Sequence, residues 1–553
     1  MVRRNAALAG DPAASASPPA PKPKPVNEPL LDVHDIQGNI LAGFNKDHQL
    51  LIALKIQDVA DARRWLMRVL PWVSSLSEVH QFNALFHARR VRLKQDAHGL
   101  VATWMNLAFS HDGIAQLASA ADADTLPDDS FRQGLGKDRS VFLGDTLPAG
   151  ESDPTAKWVV GGTGRAPDIL MIVASDDPAR LASASDLLRP GPGDGPAPPK
   201  TLWEEQGATR TDLPGHEHFG FKDGVSQPGV RGLISRSPKI YLTPRLLKRA
   251  IDGGPEFSKP GQLLVWPGHF VLGYSIGDRG DGSRLDPLPL ARPWFKNGSF
   301  LVFRRLNQNV AGFTKFIADQ AEQLAKDPGF SGLTPAHLGA LCVGRWPSGA
   351  PISRTPTMDI PALATDDLSN NDFLFTTDSP PPEFLPGSRV SPGSFPPALE
   401  GSNGPICPHA AHIFKVNPRD NATDVGNPFD TLTRRILRRG IPFGKPLEEP
   451  LKGDDGVQRG LHFLCYQASI VDQFEFLQQD WANNSGAPTA GGNDLIIGQT
   501  STLQRSIILP AIVPGIVGKA MTAPVQWITP TGGGYFFAPS ISAIRDVLCT
   551  TNL

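Results

Sequence analysis

Short apolar runs alternate along this chain with longer stretches whose apolar residues recur every three or four positions. "HQLLIALKIQD" (48–58) is apolar on successive positions and predicts a buried strand, and "DVADARRWLMRVLPWV" (58–73) has the spacing of an amphipathic helix. The cycle returns: "VATWMNLAFS" predicts a strand, "HDGIAQLASA" a helix start, and "PDILMIVASD" a strand followed by the helix-like "DPARLASASDLL". A second cycle opens at "NGSFLVFRRLNQNVAGFTKFIADQAEQLAKD" (297–327), where an apolar strand passes into an amphipathic helix, and ends with strands at "GLHFLCYQASI" and "TGGGYFFAPS". Strand-helix-strand units in two rounds, without a short repeat, predict two α+β domains with antiparallel sheets.

Punctuation between the runs sets the boundaries. Residues 1–30 form an Ala/Pro/Lys-rich tail that is expected to be disordered. Residues 31–235 are read as the first domain, 236–295 as a linker or insertion, and 296–553 as the second domain. "RPGPGDGPAPPK" (189–200) is a surface loop by composition, and a Pro-rich excursion interrupts the second domain at 375–406.

Composition narrows the partners. With 53 Lys plus Arg against 55 Asp plus Glu in 553 residues, the chain has no electrostatic footprint for nucleic acid or an anionic membrane. Four cysteines without CxxC pairing are too few for a disulfide framework and suit a reducing compartment. The N-terminus carries Arg3 and Arg4 but no apolar run of signal-peptide length, and no later stretch nears about 18 unbroken apolar residues. A cytoplasmic location without membrane attachment is expected, and export through the Arg pair stays open.

Several constellations carry chemistry. "GYSIG" (273–277) fits the GxSxG pattern of a serine hydrolase, but "DRGDGSRLDPLPLARP" cannot supply the helix that must follow Ser275. Cys407, His409 and His412 in "CPHAAH", with His216 and His218 in "HEH", suggest zinc, yet no second paired motif follows. The same segment read differently offers one neutral imidazole as the axial ligand of haem iron. Asp223 in "FKDGV" is on local grounds a turn residue, because Asp-Gly is a common turn pair.

Taken in order, "GFKDG" (220–224), "AAHIFKVNPRD" (410–420) and "LRRG" (437–440) resemble the dye-decolourising peroxidase family, with its GxxDG motif, proximal His and distal Arg. "DIQGNIL", "NGSFLVFRRLNQ", "VGRWPSGAP", "GLHFLCYQ" and "DLIIGQ" extend the resemblance over about residues 31–549, and the long insertions are similar to those of the larger bacterial and fungal members. The resemblance implies two ferredoxin-like domains in a dimeric α+β barrel-type fold, with one haem b between them, held mainly by the second. It further implies that hydrogen peroxide is the oxidant and that aromatic or phenolic compounds, including dyes, are the reductants. His412 would ligate iron, Asp223 would move the peroxide proton, and Arg438 would stabilise charge as a ferryl intermediate forms. Asp494 would accept the His412 N–H, with Asp472 and Glu475 as competitors.

Phe221 and Gly224 from the motif segment, Arg304, Leu461 and Phe463 are expected at the cofactor. Leu461 and Phe463 share one face of their strand and His462 the other. Relatives read HIRK where this chain has "HIFK", so Phe414 replaces a basic residue and Arg304 or Arg305 is expected to meet a propionate instead. A haem-carrying protein with little turnover is the alternative, and the oligomeric state, monomer or homo-oligomer, stays open.

Overall fold

A computed structural model describes residues 28–93, 99–233, 261–277, 285–366, 369–375, 404–500 and 502–550, with a few single residues and short pieces between 247 and 402. The first 27 residues of the Ala/Pro-rich tail lie outside the described residues, as do parts of the expected linker and of the Pro-rich excursion. Within the expected linker, the described stretch 261–277 is packed: Phe270 and Val271 are fully buried and Leu263 to Trp266 nearly so.

The first round of strands and helices is β1 (His48–Lys55), α1 (Val59–Val69), α2 (Leu76–Leu93), β2 (Thr103–Phe109), β3 (Ile169–Ser175), α3 (Pro178–Leu188) and β4 (Lys200–Ala208). The second is β5 (Ser299–Gln308), α4 (Val310–Leu324), α5 (Pro335–Val343), α6 (His412–Val416), β6 (Leu437–Arg438), β7 (Ile441–Phe443), β8 (Gly460–Gln467) and β9 (Ile528–Ala538). β6 and β7 pair with the same edge of β8 and act as one interrupted strand. The order is then β4-β1-β3-β2 in the first half and β9-β5-β8-β7/β6 in the second, antiparallel throughout. Each half is a ferredoxin-like sheet. They join where Phe109 pairs with Phe537 and Gly207 with Phe443, which closes the sheet into a barrel.

Closure explains the unbroken apolar runs, since both faces of the sheet are covered. Leu50, Ile52 and Leu54 of β1 point outward and share a core with Trp65, Leu66 and Val69 of α1. Leu51 and Ala53 point inward with Ile172, Leu301, Phe303 and Tyr466. α1 starts where the Asp58 carboxylate accepts the Asp61 N–H, and α4 where Asn309 accepts the Gly312 N–H. A third core gathers α4, α5 and the segment around α6, with Phe313, Leu338, Leu341, Cys407 and Phe414.

Candidate active site

The loop after β4 carries Asp223. It is short of regular structure and is pinned by its own backbone: the Asp223 N–H donates to Gly215 O at 2.9 Å, and the Gly224 N–H to Asp223 Oδ1 at 2.6 Å. Gly224 has φ +71°, a left-handed turn that an L side chain resists, while a Cβ there would meet open space; the backbone angle is what calls for glycine. Glu217 anchors the loop from within, accepting the Phe219 and Phe221 N–H groups at 2.8 and 2.9 Å and Gln308 Nε2 at 2.6 Å.

Arg438, in β6 of the other half, donates from Nη1 to Asp223 Oδ1 at 2.6 Å and from Nη2 to Ser226 O at 3.2 Å. Gln227 closes the arrangement by donating to Arg438 O at 3.0 Å. Burial pushes the Asp223 carboxyl up, but the Arg438 charge and the Gly224 N–H outweigh it, and the net shift is below the usual carboxylate value. The pair straddles the two halves of the barrel.

His412 opens α6. Its Nδ1 lies 2.7 Å from Asp494 Oδ2, and Asp494 Oδ1 accepts the Ile496 and Ile497 N–H groups at 2.8 and 3.1 Å. Burial raises the Asp494 carboxyl, and His412 with the two N–H groups brings it below its ordinary value. An ionised Asp494 accepts a hydrogen bond from Nδ1–H, which fixes the tautomer and leaves the Nε2 lone pair as the donor to a metal. Gly344, at the end of α5, allows the close approach of this segment: a Cβ there would sit 2.3 Å from Ile413 Cγ1.

One cavity of about 250 Å³ is lined by both pairs of elements: Asp223 and Arg438, His412, and the apolar wall of Phe221, Leu461, Phe463 and Phe474. Gly224 and Arg304 also reach it. Leu461 and Phe463 face the cavity, while His462 between them is fully buried on the barrel side. A second, more polar chamber of about 630 Å³, with Asn39, Lys46, His216 and Gln227 in its wall, shares Asp223 and Arg438 with the first.

Other expectations are corrected by position. Arg305 is not at the cavity: it turns into the barrel and binds Glu205 at 2.7 Å, because β5 alternates faces. Arg304 is at the cavity but ion-paired with Asp145 at 2.7 Å. Phe414 is fully buried against Phe375 and His409, away from the cavity, so that its side chain leaves no gap in the wall. Asp472 pairs with Arg434, and Glu475 binds Tyr535, so neither reaches His412.

The rival sites do not assemble. Ser275 Oγ donates to Gly277 O within its own turn at 2.7 Å. His409, His216 and His218 bond separate backbone carbonyls, and no group of three metal-ligating side chains occurs among the described residues.

Sequence reasoning missed Arg435. It lines the cavity three residues before Arg438, burial pushes its guanidinium down to about 10, and its Nε has no hydrogen-bond partner among the described residues. The adjacent "TRRILRRG" offered several arginines and no means of ranking them. Such an orphaned buried cation, together with a free His412 Nε2 and an apolar wall, fits a planar cofactor with carboxylate arms.

A closed α+β barrel whose halves meet at an aspartate–arginine pair, facing a histidine–carboxylate pair of the second half across one cavity, has the makings of a peroxidase-type site. Residues 35–190 match the DyP dimeric alpha+beta barrel domain and 399–495 the Dyp-type peroxidase C-terminal family. A dye-decolorizing peroxidase of Mycetinis scorodonius is 31% identical over 538 residues, covering 94% of this chain and 88% of that protein. A multifunctional dye peroxidase of an Amycolatopsis species is 26% identical, covering 94% and 96%. Among solved structures, an ancestral D-type dye decolorizing peroxidase superposes with TM-score 0.73 at 33% identity, covering 94% of this chain and all of that one. The Auricularia auricula-judae enzyme gives 0.69 at 29%, with the same coverage. The chain belongs to the dye-decolourising peroxidase family, whose members are haem enzymes.

Proposed function

We propose that the protein binds one haem b and uses hydrogen peroxide to oxidise dyes and other bulky aromatic or phenolic donors. The observation that carries this reading is the convergence on one cavity of the Asp223–Arg438 pair at 2.6 Å and of His412, which Asp494 backs from outside the cavity at 2.7 Å. Haem, when bound, supplies the redox chemistry of peroxide cleavage. His412 Nε2 would hold its iron, and Arg435 and Arg304 would offer charge to its carboxylate arms.

The residues divide the remaining work. Asp223, held ionised in mildly acidic solution, accepts a proton from bound peroxide and returns it to the departing oxygen. A distal histidine would be largely protonated there, with an ordinary value of about 6.5. Arg438 presents a guanidinium that stabilises the negative charge growing on oxygen as the O–O bond breaks. Asp494 accepts the His412 Nδ1–H, which fixes the ring's orientation and aims the Nε2 lone pair at the cavity. Leu461 and Phe463 exclude large donors from the Asp223 side, so dyes deliver electrons at the surface, while peroxide enters through the polar chamber. Four free, buried cysteines support the cytoplasmic reading.

Paired substitutions in one segment test the assignment. His412→Ala is expected to abolish the haem Soret band or its histidine-ligated form, and His409→Ala to keep both. An unchanged band and undiminished dye oxidation in His412→Ala would overturn the ligand.

Among the described residues no helix is long and apolar enough to cross a membrane.

A further inference from the structure

Glu475 plays no part in the chemistry above, yet it is a carboxylate that is 1% exposed, set between Phe474 and Tyr535 of the outer core. Oε1 accepts the Tyr535 hydroxyl at 2.8 Å and Arg139 Nε at 2.9 Å, and Oε2 accepts Ser130 Oγ at 2.7 Å and the second Arg139 nitrogen. Arg139 therefore grips both oxygens of the carboxylate and holds it in place. Tyr535, on β9, is 2% exposed, and its phenol donates to a charged acceptor. The other described tyrosines do otherwise: Tyr274 donates to the Asn297 amide oxygen at 2.6 Å, and Tyr466 is paired with Asn39.

The position relative to the cavity gives this pair a use. Phe463 and Phe474 both line the cavity, with ring centroids 6.0 Å apart, and Phe474 meets the Tyr535 ring edge-on at 6.3 Å. Aromatic rings thus run from the cavity wall to a tyrosine with its own proton acceptor. A phenol is hard to oxidise while its proton stays in place, because the radical cation is a very strong acid, and a carboxylate hydrogen-bonded to the O–H removes that obstacle. Burial shields the product from solvent and from chance reductants.

We propose that Tyr535 is a redox site that holds an oxidising equivalent as a buried tyrosyl radical; this rests on the haem reading above. One electron leaves the Tyr535 ring for the peroxide-oxidised cofactor, which is reduced by one equivalent. The O–H bond of Tyr535 breaks, and its proton forms an O–H bond on Glu475 Oε1. When a donor later supplies an electron, Glu475 returns the proton and the phenol is restored. The chain excludes bulky donors from the cavity, so a store of this kind bridges the interval between peroxide cleavage and the arrival of a dye.

Freeze-quench electron paramagnetic resonance on the haem-loaded full chain tests it, after one equivalent of peroxide without donor. The parent protein is expected to give a radical signal whose hyperfine pattern collapses when ring-deuterated tyrosine is incorporated, and the four tyrosines make the assignment tractable. Tyr535→Phe, which keeps the ring, should lose that signal while its Soret band still responds to peroxide. Glu475→Gln keeps a hydrogen-bond acceptor but removes the base, and should lower the radical yield at least tenfold. A normal Soret response with an undiminished tyrosyl signal in Tyr535→Phe overturns this inference alone. Absence of any Soret band in the parent overturns the haem reading and this inference with it.

Discussion

Asp494→Asn isolates the contact that makes His412 a ligand. In the parent, Asp494 Oδ1 is committed to two backbone N–H groups and Oδ2 to His412 Nδ1. An asparagine is nearly isosteric, and its carbonyl oxygen keeps the Ile496 and Ile497 bonds, which turns the amide NH2 toward the imidazole. That group donates where the carboxylate accepted, so Nδ1 must become the acceptor and the ring proton moves to Nε2, the atom that has to bind metal. Loss of such a supporting partner costs about 10- to 100-fold in metal-site affinity, or about 1.4–2.7 kcal/mol. The forced tautomer puts this case at the upper end. Titrating haem into the cofactor-free protein and following the Soret band reads the affinity directly, with thermal unfolding of the same samples as a check on folding. If Asp494→Asn takes up haem with the parent affinity and the parent spectrum, the pair is a packing contact and the argument for His412 fails.

Arg438→Leu should slow the peroxide-driven Soret change by about 10²–10³, the usual loss for one donor at developing negative charge, and stopped flow across peroxide concentration measures it. Asp223→Asn should cost less, and the deficit should shrink as pH rises and hydroperoxide anion replaces the missing base; a deficit that does not change with pH would refute the proton role. Burial pushes His218 and His269 down to about 4, so both stay neutral in the folded protein while the unfolded chain binds protons at about 6.5. Stability is therefore full above about pH 6.5 and falls toward pH 4, by up to about 3 kcal/mol for each group, and urea titrations at pH 7 and pH 4.5 should show it. Gly224→Ala should destabilise by about 1 kcal/mol through its left-handed backbone, without a steric clash, as read by thermal unfolding.

Much of this was legible from periodicity. The apolar runs at 50–54 and 300–303 read as strands, and they are; both their faces are covered, because barrel closure puts helices outside and side chains inside. β4 was hidden: "KTLWEEQGA" follows a Pro/Gly loop and exposes much of one face, so its run is too polar to announce a strand. α2 and α5 also went unread; Leu85 and Leu93 of α2 are exposed, which blurs the stripe that marks a helix. At the site, motif residues were recognisable because each carries its chemistry in its own side chain. Their partners were not. Asp145 meets Arg304 and Glu217 meets Gln308 across 159 and 91 residues, distances over which a single sequence holds no signal.

The same contacts that fasten the barrel also assemble the site. At each seam between the halves, one residue pair joins the strands: Phe109 with Phe537, and Gly207 with Phe443. Such short ladders need support, and polar bridges supply it beside the second seam. Glu205 of β4 binds Arg305 of β5 at 2.7 Å and His462 of β8 at 2.6 Å inside the barrel. Burial pushes the Glu205 carboxyl up, but the bonds from His462 and Arg305 reverse this and hold it at about 2. The bridge therefore survives mild acid, where the neutral buried histidines have already begun to cost stability. Asp223 sits on the loop after β4, which Glu217 ties to Gln308 of β5, and Arg438 belongs to the second half, so an opening of this seam pulls on the loop and disturbs the pair before it unfolds either sheet. Acid should accordingly remove activity and cooperative stability together, through the histidines, and leave the ionic bridge as the last of these contacts to titrate.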